Sequence, residues 1–301
     1  MNQAAMGRLL RGTLRDGQVR VLICDTTSMA ELCRRTHDAS NVCAAALGRG
    51  VSAAALLTAA ADDPDSTNLT MTLKGGGPAG ALVVAAHGRT LKAYVDHPRT
   101  ELPLKENGKL DVGGALGKDG TLTVVRDLGM REPYVGQTEL QSGEVGEDVA
   151  YYCAVSEQQP TLCALGVLVS EGKVISSGGV LIQPLPGCEE ETLQELETRS
   201  MLFGDISAQL MQYPLESFFE ACFEGMEPRL LEVEGLCYTC DCSRSRMEKA
   251  LISLGRGELQ EIVDDGEGAE LVCNFCHEKH HFSTEELEKL LEAAKPDAPA
   301  E

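Results

Sequence analysis

Two short cysteine motifs carry the strongest chemical signal in this 301-residue chain: Cys240-Asp241-Cys242 and, beyond residues 243–272, Cys273-Asn274-Phe275-Cys276. Thiolates are soft ligands. Two close pairs at a domain-forming separation can wrap one Zn2+ tetrahedrally, and a closed four-sulfur shell marks a structural rather than a catalytic zinc. Cys240, Cys242, Cys273 and Cys276 are therefore the expected ligands of one Zn2+. Cys237-x-x-Cys240 overlaps the first pair, which makes Cys237 an alternative ligand. His277, His280 and His281 lie beside the second pair; with four thiolates completing the shell, they are expected to face solvent.

Other chemistries fit less well. Cys273-x-x-Cys276-His277 spells the c-type haem attachment string. Attachment demands export, and the stretch from Met1 to Arg20 is polar, without the apolar core of a secretory signal. A zinc deaminase needs His-x-Glu ahead of its cysteine pair, and none is present. A thioredoxin-like site wants Cys-x-x-Cys at a helix start, whereas Cys276 runs into a histidine-rich segment. No nucleophile–base constellation emerges elsewhere, so no catalytic residue and no enzymatic turnover are expected.

Of the 12 cysteines, Cys24, Cys33, Cys43, Cys153, Cys163, Cys188 and Cys222 are scattered, mostly among small apolar residues, as buried reduced thiols would be. A cysteine cluster without an export signal reads as metal-binding or redox-active, in a cytoplasmic protein. Net charge is −21, which opposes binding to nucleic acid or an anionic membrane. It suits solubility, including that of a protein exposing apolar surface. No run of 18 apolar residues is read, and Val51–Ala61 is too short, so no membrane span is expected.

The elements that must position the cysteines fall into three parts. Residues 1–185 read as an α+β core domain with an antiparallel sheet carrying helices. Val19–Asp25 is a strand. Ser28–Ala61 is helical, broken near Gly48–Gly50. Leu69–Leu73 alternates with period two, Gly75-Gly76-Gly77-Pro78 turns the chain, and Ala81–Ala86 and Leu91–Val95 follow as strands around His87-Gly88-Arg89. The glycine-rich turn lacks the residues of a phosphate or dinucleotide loop. Leu122–Asp127 and Leu165–Ser170 are further strands, with a helix over Glu147–Ser156.

Residues 186–232 read as a helical linker. An acidic amphipathic helix around Leu193 and Leu196 leads into an apolar segment bearing Phe203, Phe218, Phe219 and Phe223. It is either a packed connector or a segment whose apolar face becomes exposed on demand. Residues 233–295 read as the zinc module. Its elements are a helix over Ser243–Leu254 stopped by Gly255, a short helix at Leu259, Ile262 and Val263, and a last helix opened by the capping box Ser283-Thr284-Glu285-Glu286. A frayed tail is expected over Lys295–Glu301. A module of roughly 60 residues with few large apolar side chains needs a staple, and structural zinc contributes about 10–16 kcal/mol to such folds.

Cys240-Asp241-Cys242-Ser243-Arg244-Ser245-Arg246, Ala250-Leu251, Leu254-Gly255 and Cys273-Asn274-Phe275-Cys276 together resemble the heat-shock protein 33 family of redox-regulated chaperones. So do Ala44–Arg49, Lys109–Gly113, Ser142-Gly143-Glu144, Ser156–Pro160 and Ala164–Val169, so the likeness covers nearly the whole chain. It implies an ATP-independent holdase, inactive when reduced and zinc-bound. Oxidants form the disulfides Cys240–Cys242 and Cys273–Cys276, zinc leaves, the module and linker unfold, and the protein dimerises and holds unfolding or oxidatively damaged clients. Loops of three or four residues closed by such disulfides contribute only about 1.5–2 kcal/mol each and cannot replace the metal clamp. Cys237 is an extra thiol beside the family pattern. The competing reading is a constitutive zinc-stapled docking module without redox switching.

Overall fold

The computed structural model describes residues 4–127 and 133–293. The expected tail, Lys295–Glu301, lies outside the described residues. The chain divides into two compact units, residues 1–239 and 240–301.

The first unit is built on a ten-stranded sheet ordered β7-β6-β3-β4-β5-β10-β1-β2-β9-β8. Its strands are β1 (Ala5–Leu14), β2 (Val19–Asp25), β3 (Asn68–Gly76), β4 (Leu82–His87), β5 (Thr90–Val95), β6 (Gly117–Asp127), β7 (Tyr134–Glu139), β8 (Leu162–Ser170), β9 (Lys173–Pro184) and β10 (Arg229–Tyr238). Helices α1 (Thr27–His37), α2 (Asn41–Ala59), α3 (Val112–Leu116), α4 (Gly146–Val155), α5 (Glu190–Arg199), α6 (Ile206–Gln212) and α7 (Leu215–Cys222) accompany it. All strand pairs are antiparallel except β5–β10, which pairs Thr90 with Cys237 and Leu91 with Tyr238. This is the α+β, antiparallel architecture the sequence implied.

The period-two pattern around Leu69–Leu73 places Leu69, Met71 and Leu73 in the core and their neighbours outside. The helical break is not at Gly48–Gly50. It falls at Asp38, in the left-handed region at φ 48°, and Ser40 caps the next helix by accepting the Cys43 N–H. Gly48 and Gly50 lie inside α2 because the helix runs close against the sheet. A Cβ at Gly48 would stand 2.8 Å from Val167 and 2.9 Å from the Ser177 hydroxyl. The glycine-rich turn is a close backbone approach of the same kind: a Cβ at Gly75 would meet the Gly117 carbonyl oxygen at 2.2 Å.

Uninterrupted apolar runs are short in this chain, but one helix reaches membrane length. Helix α2 is long and apolar enough to cross a membrane, with mean hydropathy 1.6 over its window, although Arg49, Ser52 and Thr58 interrupt it. That window is 94% buried inside the protein, where α2 serves as the central core helix.

Strands β1, β7 and β10 were not legible as strands. In β1 and β10 charged residues, Arg8 and Arg11 against Glu232 and Glu234, interrupt the apolar pattern, and Arg11 pairs with Glu234 at 3.3 Å. Adjacent residues of β1, β2 and β9 feed two separate apolar clusters, as a pleated strand dictates. Leu9, Leu22 and Leu181 join α1 and α2. Leu10, Ile23 and Ile182 join Leu196, Phe203, Ile206, Phe218, Phe219 and Phe223 from the α5–α7 segment. Phe219 and Phe223 lie 5.6 Å apart, and Phe203 and Phe223 5.9 Å apart, between ring centroids. The segment over residues 190–223 is thus a packed connector in this state.

The second unit holds α8 (Arg244–Ser253), α9 (Arg256–Asp264), a hairpin of β11 (Ala269–Val272) and β12 (Lys279–Phe282), and α10 (Thr284–Ala293). Gly255, at φ 97°, ends the first helix as expected. The capping box forms: Glu286 N–H donates to the Ser283 hydroxyl, and Ser283 N–H to the Glu286 carboxylate at 2.9 Å. Val233 lies within β10 of the first unit, and the compact second unit starts at Cys240. Its core is small: Leu251, Leu259, Val263, Phe282, Leu287 and Leu291.

Candidate metal centre

The first cysteine pair sits in the loop that leads into α8. Ser243 caps that helix by accepting the Arg246 N–H, and Asp241 pairs with the Arg246 guanidinium at 2.6 Å. The second pair forms the turn of the β11–β12 hairpin. Cys273 N–H donates to the Glu278 carbonyl at 3.0 Å, His277 N–H donates to the Cys273 carbonyl at 2.8 Å, and His277 takes a left-handed φ of 61° to make the turn. Arg244 ties these parts together: it donates to the His281 carbonyl and the Glu286 carboxylate and stacks 4.3 Å above the Phe282 ring.

These elements bring Cys240, Cys242, Cys273 and Cys276 into one group, all four sulfurs within 4.8 Å of one another. Cys240 and Cys273 are buried; Cys242 and Cys276 are half-buried. Cys240 Sγ lies 3.7 Å from Cys273 Sγ, and Cys242 Sγ 3.3 Å from Cys276 Sγ. Cys237 is not in this group. It lies in β10, opposite Met6 on one side and Thr90 on the other, and its N–H donates to the Arg89 carbonyl.

The electrostatics fit a cation. Burial pushes the Cys240 thiol up to about 12, against a hydrogen bond from the Cys242 N–H and together with the charge of Cys273. Burial, a hydrogen bond to Cys276 and the neighbouring thiols push Cys242 up as well. Burial also opposes ionisation of Cys273, but the N–H groups of Phe275 and Cys276 and the neighbouring thiols outweigh it and hold Cys273 below its ordinary value. Four thiols in one shell cannot all ionise beside each other without a positive charge among them. Backbone donors already aimed at sulfur are what a bound thiolate requires. The donor set therefore can hold a metal ion.

The scattered cysteines are of the opposite kind. Burial lifts the thiols of Cys24, Cys33 and Cys153 to about 12 and that of Cys222 to about 11. Cys43, Cys163 and Cys188 are raised by the same cause. Such thiols have little thiolate to offer at neutral pH.

Of the three histidines, His277 and His281 are exposed as expected, but His280 is half-buried. Strand alternation is the signal that could have shown this: His280 shares the face of β12 on which Phe282 is buried, while Lys279 and His281 point outward to Glu270. Glu278, whose carboxylate lies 3.7 Å from Cys242 Sγ, carried no signal in the sequence.

Comparison with known proteins gives a consistent picture. Residues 7–283 match the family described as Hsp33 protein. The 33 kDa chaperonin of Clostridium tetani is 42% identical over 287 residues, covering 94% of this chain and 97% of that protein. The 33 kDa chaperonin of Ruminiclostridium cellulolyticum is 40% identical over 285 residues, covering 94% and 97%. The crystal structure of the 33 kDa chaperonin (heat shock protein 33 homolog) from Thermotoga maritima superposes with a TM-score of 0.83 at 36% identity, covering 95% of this chain and 98% of that one.

Proposed function

The chain belongs to the Hsp33 family, and from that premise we propose that it is a redox-regulated, ATP-independent holdase of the cytoplasm. In the reduced state Cys240, Cys242, Cys273 and Cys276 hold one Zn2+, with Cys237 outside the ligand set. The ion supplies a tetrahedral clamp to a module whose own apolar core is small.

Each proposed disulfide, Cys240–Cys242 and Cys273–Cys276, forms as an oxidant such as peroxide takes two electrons from a thiol pair. The pairing follows the family resemblance. With its ligands joined to one another the cluster no longer binds metal, and loops this short contribute only about 1.5–2 kcal/mol each in place of the clamp. Residues 233–295 then unfold as the redox module, and residues 186–232 as the linker, away from a core domain over residues 1–185. The oxidised chain forms a homodimer and binds unfolded or oxidatively damaged proteins.

The observation that carries this reading is the second apolar cluster. Helices α5–α7 cover Leu10, Val21, Ile23, Val180 and Ile182 of the sheet with Phe203, Phe218, Phe219 and Phe223 of their own. Their departure would open two apolar surfaces at once, each suited to an unfolded chain. These helices are short, of seven to ten residues, and helices of this length are held by packing rather than by propensity.

The test follows metal and client together. Reduced, zinc-loaded protein is treated with peroxide at mildly raised temperature, with a chromophoric chelator reporting zinc and light scattering reporting a thermally unfolding client. Joint zinc release and aggregation suppression, reversed by a thiol reductant, are expected. Zinc release with unchanged client aggregation would instead favour a constitutive metal-stapled docking module.

A further inference from the structure

A second donor group overlaps the thiol cluster. Cys242 Sγ, a carboxylate oxygen of Glu278 and a ring nitrogen of His280 lie within 4.8 Å of one another. His280 Nε2 is shut off from solvent and has no hydrogen-bond partner. A buried polar atom left unpaired is costly, and one that persists beside a metal-ligand set calls for a role. The neighbouring His281 shows the contrast: it is exposed and lies 3.3 Å from Glu270. Imidazole and carboxylate are both ordinary zinc donors. Around Cys242 the module therefore places more donors than a tetrahedral ion uses.

We propose that His280, supported by Glu278, is a reserve metal ligand that takes the coordination position vacated when Cys276 is lost. The inference rests on the metal reading above and extends it to residues outside the four-cysteine set. Cys276 is the thiol it replaces because its sulfur stands 3.3 Å from Cys242, the ligand common to both groups. Loss of one thiolate on the hairpin side then leaves the metal held by Cys240, Cys242, Cys273 and His280. Loss of Cys242 removes a ligand from both groups at once.

The experiment uses cobalt-substituted full-length protein, reduced throughout. Wild type, His280→Phe, Cys276→Ala and the double variant are compared by their sulfur-to-cobalt charge-transfer and d–d bands and by zinc competition against a chelator. Wild type and His280→Phe are expected to share a four-thiolate spectrum. Cys276→Ala should keep cobalt with weaker charge-transfer bands and shifted d–d bands. Adding His280→Phe should then shift the spectrum again and weaken binding at least about tenfold. Identical spectra and affinities for Cys276→Ala with and without His280→Phe would overturn the proposal, as would a Cys276→Ala protein that binds no cobalt. A wild-type protein without a four-thiolate spectrum would defeat the underlying metal reading itself, and is recognised separately. Since the bands report the site directly, loss of fold without metal does not blur the result.

Discussion

The two units solve the same problem with different materials. The first buries a large apolar core on both faces of its sheet, and Cys24, Cys33 and Cys153 are small hydrophobes within it whose thiols burial raises. Among the described residues the second has an apolar cluster of six buried side chains and four cysteines gathered in one group. Identical residue types thus act as packing in one unit and as donors in the other. The difference lies in their surroundings: closed apolar neighbours in the first, N–H donors and other thiols in the second.

On the proposed function, the sharpest way to break this comparison is to strip the metal. Chelation of reduced protein should remove about 10–16 kcal/mol of apparent stabilisation from the second unit. Amide protection in α8–α10 should collapse while that in α2 persists, as read by hydrogen exchange; equal protection in both after chelation would erase the distinction. Next in size is Phe219→Ala, which opens the second apolar cluster and should cost about 3–5 kcal/mol in denaturant unfolding of the first unit. On the proposed function it should also lower the oxidant dose needed for client protection.

A smaller effect is expected at Glu144. Burial raises its pKa, but Lys105 and Arg49 outweigh that and hold it below the usual carboxylate value. A depressed carboxylate stabilises the fold above its unfolded pKa, and the contribution is lost as pH falls through the folded one. Glu144→Gln should cost about 1–3 kcal/mol at neutral pH and flatten the stability loss below the carboxylate range, measured by urea titration at stepped pH. Smallest of all, Arg246→Ala removes the exposed pair with Asp241 and should change second-unit stability by about 0–1 kcal/mol.

What the sequence revealed follows the same division. The gathering of the four cysteines was legible because they stand in two close pairs, and that spacing is written locally. Val19–Asp25 was legible to the residue because only Arg20 interrupts its apolar residues, Val19 and Val21–Cys24. Strands β1 and β10 were hidden because their pairing joins residues at opposite ends of the chain, such as Leu10 with Val233, and because paired Arg and Glu side chains mask the pattern. The break between α1 and α2 was misplaced because Gly48 and Gly50 look like breakers until the sheet behind them is seen. His280 was read as exposed because a shell completed by four thiolates says nothing about which face of a strand a neighbouring histidine occupies.

The position of β10 has a consequence for how the protein is made. It lies between β5 and β1, joining two half-sheets that do not otherwise touch edge to edge. A ribosome adding about 5–20 residues per second takes some ~2–9 s to pass from the end of β9 at Pro184 to the start of β10 at Arg229. Throughout that interval the nascent chain carries two open strand edges, at β1 and β5, each able to pair with a foreign strand. A protein of this design is itself, for some seconds of its synthesis, an aggregation-prone chain.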